Sequence, residues 1–316
     1  MRASVAICTR NRCAALAQTL RALTEVVAQS SLALDLIVVD NGSTDDTPRT
    51  IASFNASLPL RTIVEQRIGL SHARNAVIDL ARGDYIVWID DDVIVDPDWL
   101  RAYGDAFRAW PDAAFFGGPI VPDFAGTPPR WLHEALPQIG NAYAMLDLGP
   151  APRSLDAHAL PFGANFAIRA DAQRRHRYDP KLGRRGDLLY AGEEWGVLAS
   201  LLEEGSTGRW VPGARVRHLI TAERQTTRYL RRYYIGNGMS HASVRTADGE
   251  SMLFDRPRWV WREALAQEIA YRATRIFAPP RHWSAHLKRA SVAWGMLRVP
   301  AGQDRPQRSD SRGPRG

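Results

Sequence analysis

Cysteine is scarce in this chain: two in 316 residues, Cys8 and Cys13, both near the start. That excludes a disulfide framework, and the pair reads as two reduced thiols. Nowhere do 18 apolar residues follow one another, so no membrane-spanning helix is expected. The first seven residues lack a cationic stretch leading into a long apolar core. A secretory signal is therefore not expected, and the expected compartment is the cytoplasm. Two glycine-dependent nucleotide sites are missing as well. The first predicted strand is followed neither by a spaced glycine fingerprint nor by a phosphate-cradling loop with its lysine. Internal repeats are also absent.

What is present is a globular composition, 45% hydrophobic and 24% charged. The net charge of +7 is unevenly spread: residues 1–223 hold 23 Lys and Arg against 27 Asp and Glu, and residues 224–316 hold 18 against 7. The balance thus swings from −4 to +11, which suits either an anionic partner for the last third or a solvated Arg-rich surface.

The most informative stretch runs from Tyr85 to Asp92. Tyr85-Ile86-Val87-Trp88-Ile89 has the continuous apolar character of a strand buried on both faces. It ends in Asp90-Asp91-Asp92. Three adjacent carboxylates repel one another and need a counter-charge if buried. At the carboxyl edge of a parallel sheet, a divalent metal carrying a phosphate-bearing ligand would supply it. A solvated turn is the plainer alternative.

Before this stretch, strand and helix patterns alternate. Strands are predicted over residues 3–8, 35–40 and 60–65, and helices over 14–29, 47–55 and 71–81. Such alternation builds a mostly parallel sheet flanked by helices. Asp40, ending the second strand, would share an edge with the aspartate triplet and accept hydrogen bonds from a base or ribose. Later, 117–122 and 210–218 each read as one strand, and 123–160 as a loop subdomain over the sugar or acceptor. Trp131 in it is either a stacking platform or a core residue. Glu193 and Glu194 fit as first-turn acids of a helix, following a flexible 188–192 segment. His218, ending a strand, reads as an ordinary surface residue or a ligand. Residues 259–277 form an amphipathic basic helix that suits an anionic membrane surface or packs on the catalytic domain with its basic face in solvent. The tail 301–316 is expected to be disordered.

Thr9-Arg10-Asn11, Val38 through Asp45, Gly69 through Asn75 and Gly83 through Asp92 together resemble the family 2 glycosyltransferases, in that family's order and spacing. Weaker matches extend to about residue 235. The resemblance implies the GT-A fold: an α/β mixed, mostly parallel sheet with a Rossmann-like nucleotide-binding half. It implies a catalytic domain over 1–235, divided into a nucleotide half (1–110) and an acceptor half (111–235), with a basic helical extension over 236–300. It implies an inverting enzyme that uses a nucleotide-diphosphate sugar, a UDP-sugar being favoured, with Mg²⁺ or Mn²⁺. By it, Thr9, Arg10, Asn11, Asp40, Asn41, Arg74, Asp90 and Asp91 fall in the nucleotide site. Asp92 is the metal ligand, joined by His218. Gly163 and Asn165 lie near the donor sugar. Glu194 occupies the general-base position with Glu193 beside it, although family members carry Glu-Asp there and this chain carries Glu-Glu. One guanidinium of Arg228, Arg231 and Arg232 would clamp the diphosphate, Arg228 and Arg232 being preferred. Asp84 is expected to be structural. The acceptor would be a saccharide or lipid-linked saccharide at the inner face of the cell membrane, and no nucleic acid is expected. The competing classes are a nucleotidyltransferase, which would need the missing phosphate loop, and a basic nucleic-acid-binding protein.

Overall fold

The computed structural model describes residues 1–30, 32–180, 193–244 and 251–299, with Glu193, Ser243 and Val244 described through their backbone alone. The expectations for a flexible 188–192 segment and a disordered 301–316 tail lie outside these residues. The chain divides into two units, Met1–Thr226 and Thr227–Gly316.

The first unit opens with β1 (Arg2–Thr9), α1 (Cys13–Ala28), β2 (Ala33–Asp40), α2 (Thr47–Ser53), β3 (Leu60–Val64), α3 (Leu70–Leu80) and β4 (Tyr85–Asp90), the alternation that the sequence predicts. The four strands are parallel. Along β4, Tyr85, Val87 and Ile89 enter one core, and Ile86 and Trp88 enter the other. The period of two, with apolar layers on both faces, is why the run is continuous rather than alternating. Leu16, Leu20 and Leu23 of α1 cover the first face, and Ala73, Val77 and Ile78 of α3 cover the second.

The chain continues through β5 (Val93–Val95), α4 (Trp99–Ala109), β6 (Phe115–Gly117), β7 (Ile120–Phe124), α5 (Arg130–Ile139), β8 (Ser154–Leu155), β9 (Asn165–Arg169), α6 (Ala170–Arg175), α7 (Glu193–Glu203), β10 (Gly208–Trp210) and β11 (Val216–Ile220). The main sheet runs β3-β2-β1-β4-β9-β6-β10-β8, and a small sheet runs β5-β11-β7. It is a mixed, mostly parallel α/β architecture. The carboxylate of Asp84, expected to be structural, accepts the Arg2 backbone N–H at 2.8 Å.

Two expectations need correction. The segments 117–122 and 210–218 are not single strands, because each crosses from the main sheet to the small one: β6 to β7, and β10 to β11. The crossings touch backbone to backbone, and a Cβ on Gly118 would lie 2.0 Å from the Ala214 carbonyl oxygen. Nor is 123–160 a loop throughout. α5 buries Leu132, Ala135 and Ile139, and Trp131 is half-buried on it. Pro128, Pro129 and Pro137 read as helix breakers, yet the first two precede the helix, where a missing N–H costs nothing.

In the second unit, α8 (Thr227–Val244) is followed by a hairpin of β12 (Met252–Leu253) and β13 (Arg256–Pro257), then α9 (Arg258–Phe277) and α10 (Pro280–Met296). The boundary read after residue 235 falls inside α8. Val260, Ala264 and Tyr271 form the buried side of α9, and Tyr271 meets the Trp283 ring.

Candidate active site

The register of the parallel strands sets one working edge. Thr9 lies opposite Asp40, and Cys8 opposite Asp90, so β1, β2 and β4 end together. β9 runs antiparallel beside β4 with Asn165 opposite Ile89, which brings the segment just before β9 to that same edge. β11 places His218 opposite Val93, and the Leu219 N–H donates to the Asp92 carbonyl at 2.8 Å.

The three aspartates have three environments. Asp90 is half-exposed, whereas Asp91 and Asp92 are buried. Asp91 accepts the Thr9 hydroxyl at 2.6 Å and pairs with Arg12 at 3.0 Å. Burial dominates there and pushes its carboxyl above the ordinary range, against the pull of Arg12. Asp92 is also penalised by burial, but His218, Arg12 and Arg224 more than offset it and hold its carboxyl well below that range. Arg12 reaches Asp92 at 2.6 Å and Arg224 at 3.2 Å, while His218 Nε2 lies 3.3 Å away. The counter-charge that the sequence assigns to a metal is here carried by two guanidiniums. Neither Arg12 nor Arg224 was among the expected site residues, although the need for a counter-charge was the signal that could have found them.

The residues present suit a divalent ion none the less. The Tyr143 carbonyl can only accept, so His218 Nδ1, 2.7 Å away, carries the proton and Nε2 faces Asp92. An imidazole oriented by a carbonyl, beside a carboxylate, is a common metal donor pair. Among the described residues no third His, Cys, Asp or Glu completes a cluster.

Of the residues expected at the nucleotide, Asp40 is buried and accepts the Ser43 N–H at 2.9 Å. Asn41 is occupied by the fold: its amide donates to the Glu65 and Arg67 carbonyls at 2.9 and 2.8 Å and accepts from the Gly69 N–H at 2.8 Å. Asn11, at φ 52°, accepts the Thr44 N–H at 2.7 Å and so ties the β1–α1 turn to the β2–α2 turn. Thr9 spends its hydroxyl on Asp91. Arg10 differs from these, because its Nε is buried without a hydrogen-bond partner among the described residues.

Glu194 stands in the first turn of α7. Its Oε1 accepts the Gly163 N–H at 3.1 Å, and Oε2 lies 3.5 Å from Arg74 Nη1. Arg74 is buried over the Trp88 and Tyr178 rings, so it orients the carboxylate from inside the fold. A Cβ on Gly163 would lie 2.3 Å from Arg74 Nη2, so glycine is what lets the guanidinium reach Glu194. The Glu193 side chain lies outside the described residues. Arg228 and Arg232 are exposed on α8 of the second unit, and Arg231 pairs with Glu268 at 2.8 Å within it. Arg224, which belongs to the first unit, reaches Asp92 there at 3.2 Å.

Asn165, expected beside the donor sugar, is tied into the fold. It is fully buried, donates to the Pro119 and Ala214 carbonyls at 3.1 and 2.7 Å, and accepts from Trp99 Nε1 and Tyr103 Oη, both at 2.9 Å. Asn165→Leu should therefore lower unfolding stability by about 3–5 kcal/mol, because it strands two buried donors and two carbonyls. Urea denaturation checks this. A variant of native stability with only a raised donor KM would restore the ligand role.

The sequence profile described as glycosyl transferase family 2 matches residues 4–177. The glucosyl-dolichyl phosphate glucuronosyltransferase of Haloferax volcanii is 28% identical over 230 residues, 70% of each chain. The succinoglycan biosynthesis protein ExoM of Rhizobium meliloti is 24% identical over 83% of this chain and 79% of its own. In fold, the chain matches the Pyrobaculum calidifontis mannosyltransferase PcManGT, solved with GDP-Man and Mn²⁺, with a TM-score of 0.54 and 16% identity over 96% of this chain and 76% of that one.

Proposed function

The chain belongs to glycosyltransferase family 2, and from that premise we propose that it transfers a sugar from a nucleotide-diphosphate sugar to a hydroxyl of a saccharide or lipid-linked saccharide, inverting the anomeric centre. The observation that carries this reading is Glu194, fixed by Gly163 and Arg74 at the sheet edge that also holds Asp40, Asp90 and Asp92.

Asp40 and Asp90 receive the nucleoside, a UDP-sugar being the first donor to try, and the Nε of Arg10, unpaired among the described residues, is a ready hydrogen-bond donor to the same ligand. Glu194 takes the proton from the acceptor hydroxyl as that oxygen bonds to the anomeric carbon and the bond to the diphosphate breaks. Arg12 and Arg224 already converge on Asp92, and their planar forks suit the charge gathering on the leaving diphosphate. Asp92 and His218 would hold Mg²⁺ or Mn²⁺, which supplies Lewis-acid stabilisation of that charge when bound. The site of action is the cytoplasmic side of the membrane.

Titrating nucleoside diphosphates with and without Mn²⁺ tests the reading. We expect one of them to bind at least about tenfold more tightly with the metal, the order of a several-kcal/mol charge interaction shared with solvent. Equal binding in both conditions for every base would overturn it.

A further inference from the structure

α9 carries an outward face that the second unit leaves bare. Leu265, Ile269, Ile276 and Phe277 are all exposed, Ile276 at 87% and Phe277 at 77%. The first three recur at helical spacing, opposite the buried Val260, Ala264 and Tyr271. The β12–β13 hairpin extends this surface. Its turn places Phe254 and Asp255 at φ 49° and 56°, a left-handed conformation that hairpins usually give to Asn or Gly. Phe254 is 79% exposed there and meets the Trp261 ring, and the Trp261 indole N–H donates to the Leu253 carbonyl at 3.0 Å. Met252 and Leu253 are exposed beside it.

The exposed charges around this face are mostly positive, Asp255 in the hairpin turn being the exception. Arg258, Arg262, Arg272 and Arg275 are exposed along α9. The helix has two acids, and both are engaged: Glu263 with Arg289 at 2.9 Å, and Glu268 with Arg231 and Arg272. Aliphatic side chains at the centre, guanidiniums around them and tryptophan at one end match the interface of a lipid bilayer with anionic headgroups. A second copy of this chain matches poorly, since two-fold pairing would set arginines against arginines. The helix does not cross the bilayer, for no described helix is long and apolar enough.

We propose that α9 and the Met252–Leu253 hairpin form a membrane-docking surface that lies in the headgroup layer of an anionic bilayer. Its apolar side chains enter the acyl boundary, and its arginines meet lipid phosphates. This placement stands apart from the sugar-transfer reading, and it would bring the enzyme to acceptors carried on lipid.

Sedimentation of the full chain with vesicles tests it. Binding is expected to vesicles of phosphatidylcholine with phosphatidylglycerol, to weaken with added salt, and to fall for phosphatidylcholine alone. Ile269→Asp with Ile276→Asp should lower partitioning at least about tenfold with an unchanged helical circular-dichroism signal. Arg262→Glu with Arg275→Glu should remove the preference for the anionic lipid. The proposal is overturned if the chain ignores both vesicles, if the Ile variant binds as well as the parent, or if light scattering shows a dimer that Ile269→Asp dissociates while lipid binding is absent. Sugar transfer plays no part in these readouts, so failure here and failure of the proposed activity are separable.

Discussion

Glu194→Gln should lower the rate of sugar transfer by about 10²–10⁴-fold, the usual contribution of a positioned general base, with donor affinity unchanged. The amide is isosteric and can still accept the Gly163 N–H that holds Oε1. Its NH₂ faces Arg74 rather than pairing with it, but the guanidinium remains supported by two aromatic rings. The expected signature is therefore a fall in kcat without a comparable change in donor binding. Isothermal titration with the nucleoside diphosphate and a transfer assay on the same preparation give both quantities. If Glu193→Gln carried the loss instead, the role would pass to the first acid of the pair.

Asp92→Asn should reduce transfer by about 10²–10³-fold, comparable to removing one preorganised electrostatic contact, and should also cost stability. Removing the carboxylate leaves Arg12, Arg224 and His218 converging on a neutral amide. A fully buried broken pair costs about 3–5 kcal/mol, but the Arg12 side chain is 34% exposed and water screens it, so about 1–3 kcal/mol is the expected loss. The sign with pH follows from the lowered carboxyl. A depressed folded-state value stabilises the protein above the unfolded carboxylate range of about pH 4, and that contribution is lost as pH falls towards strong acid. The stability gap between parent and variant should thus be flat through neutral pH and close below about pH 4. A gap that widened on acidification would mean that Asp92 is not the stabilised carboxylate. Urea midpoints across pH, read by tryptophan fluorescence, distinguish the two.

The first half of the fold was legible because each strand from β1 to β4 states its own environment. Five apolar residues before Asp90 mean apolar layers on both sides, and both are present. The expectations for Glu194 and His218 came from family resemblance rather than from their neighbours. What partners Asp92 was not legible, since Arg12 and Arg224 lie 80 and 132 positions away along the chain and no local spacing reports them. The contacts of Asn165 were hidden for the same reason. Its four partners come from Trp99, Tyr103, Pro119 and Ala214, and a polar residue beside a sugar-binding motif reads alike whether it faces outward or inward. The strand breaks at 117–120 and 210–216 escaped because sheet membership is a tertiary property. Gly118, squeezed against the Ala214 carbonyl, marks the crossing.

The arginines that grip the aspartate turn also bear on the order in which ligands arrive. Arg12 pairs with both Asp91 and Asp92 and Arg224 reaches Asp92 as well, so the carboxylates are already compensated and a lone divalent ion would find little long-range attraction there. A diphosphate, by contrast, meets two guanidiniums that can exchange one anion for another at little electrostatic cost. The fold thus keeps anion-holding groups at this turn whether or not a cation accompanies the ligand: Arg12 and Arg224 would receive the phosphates, and Asp92 with His218 would hold an ion brought with them.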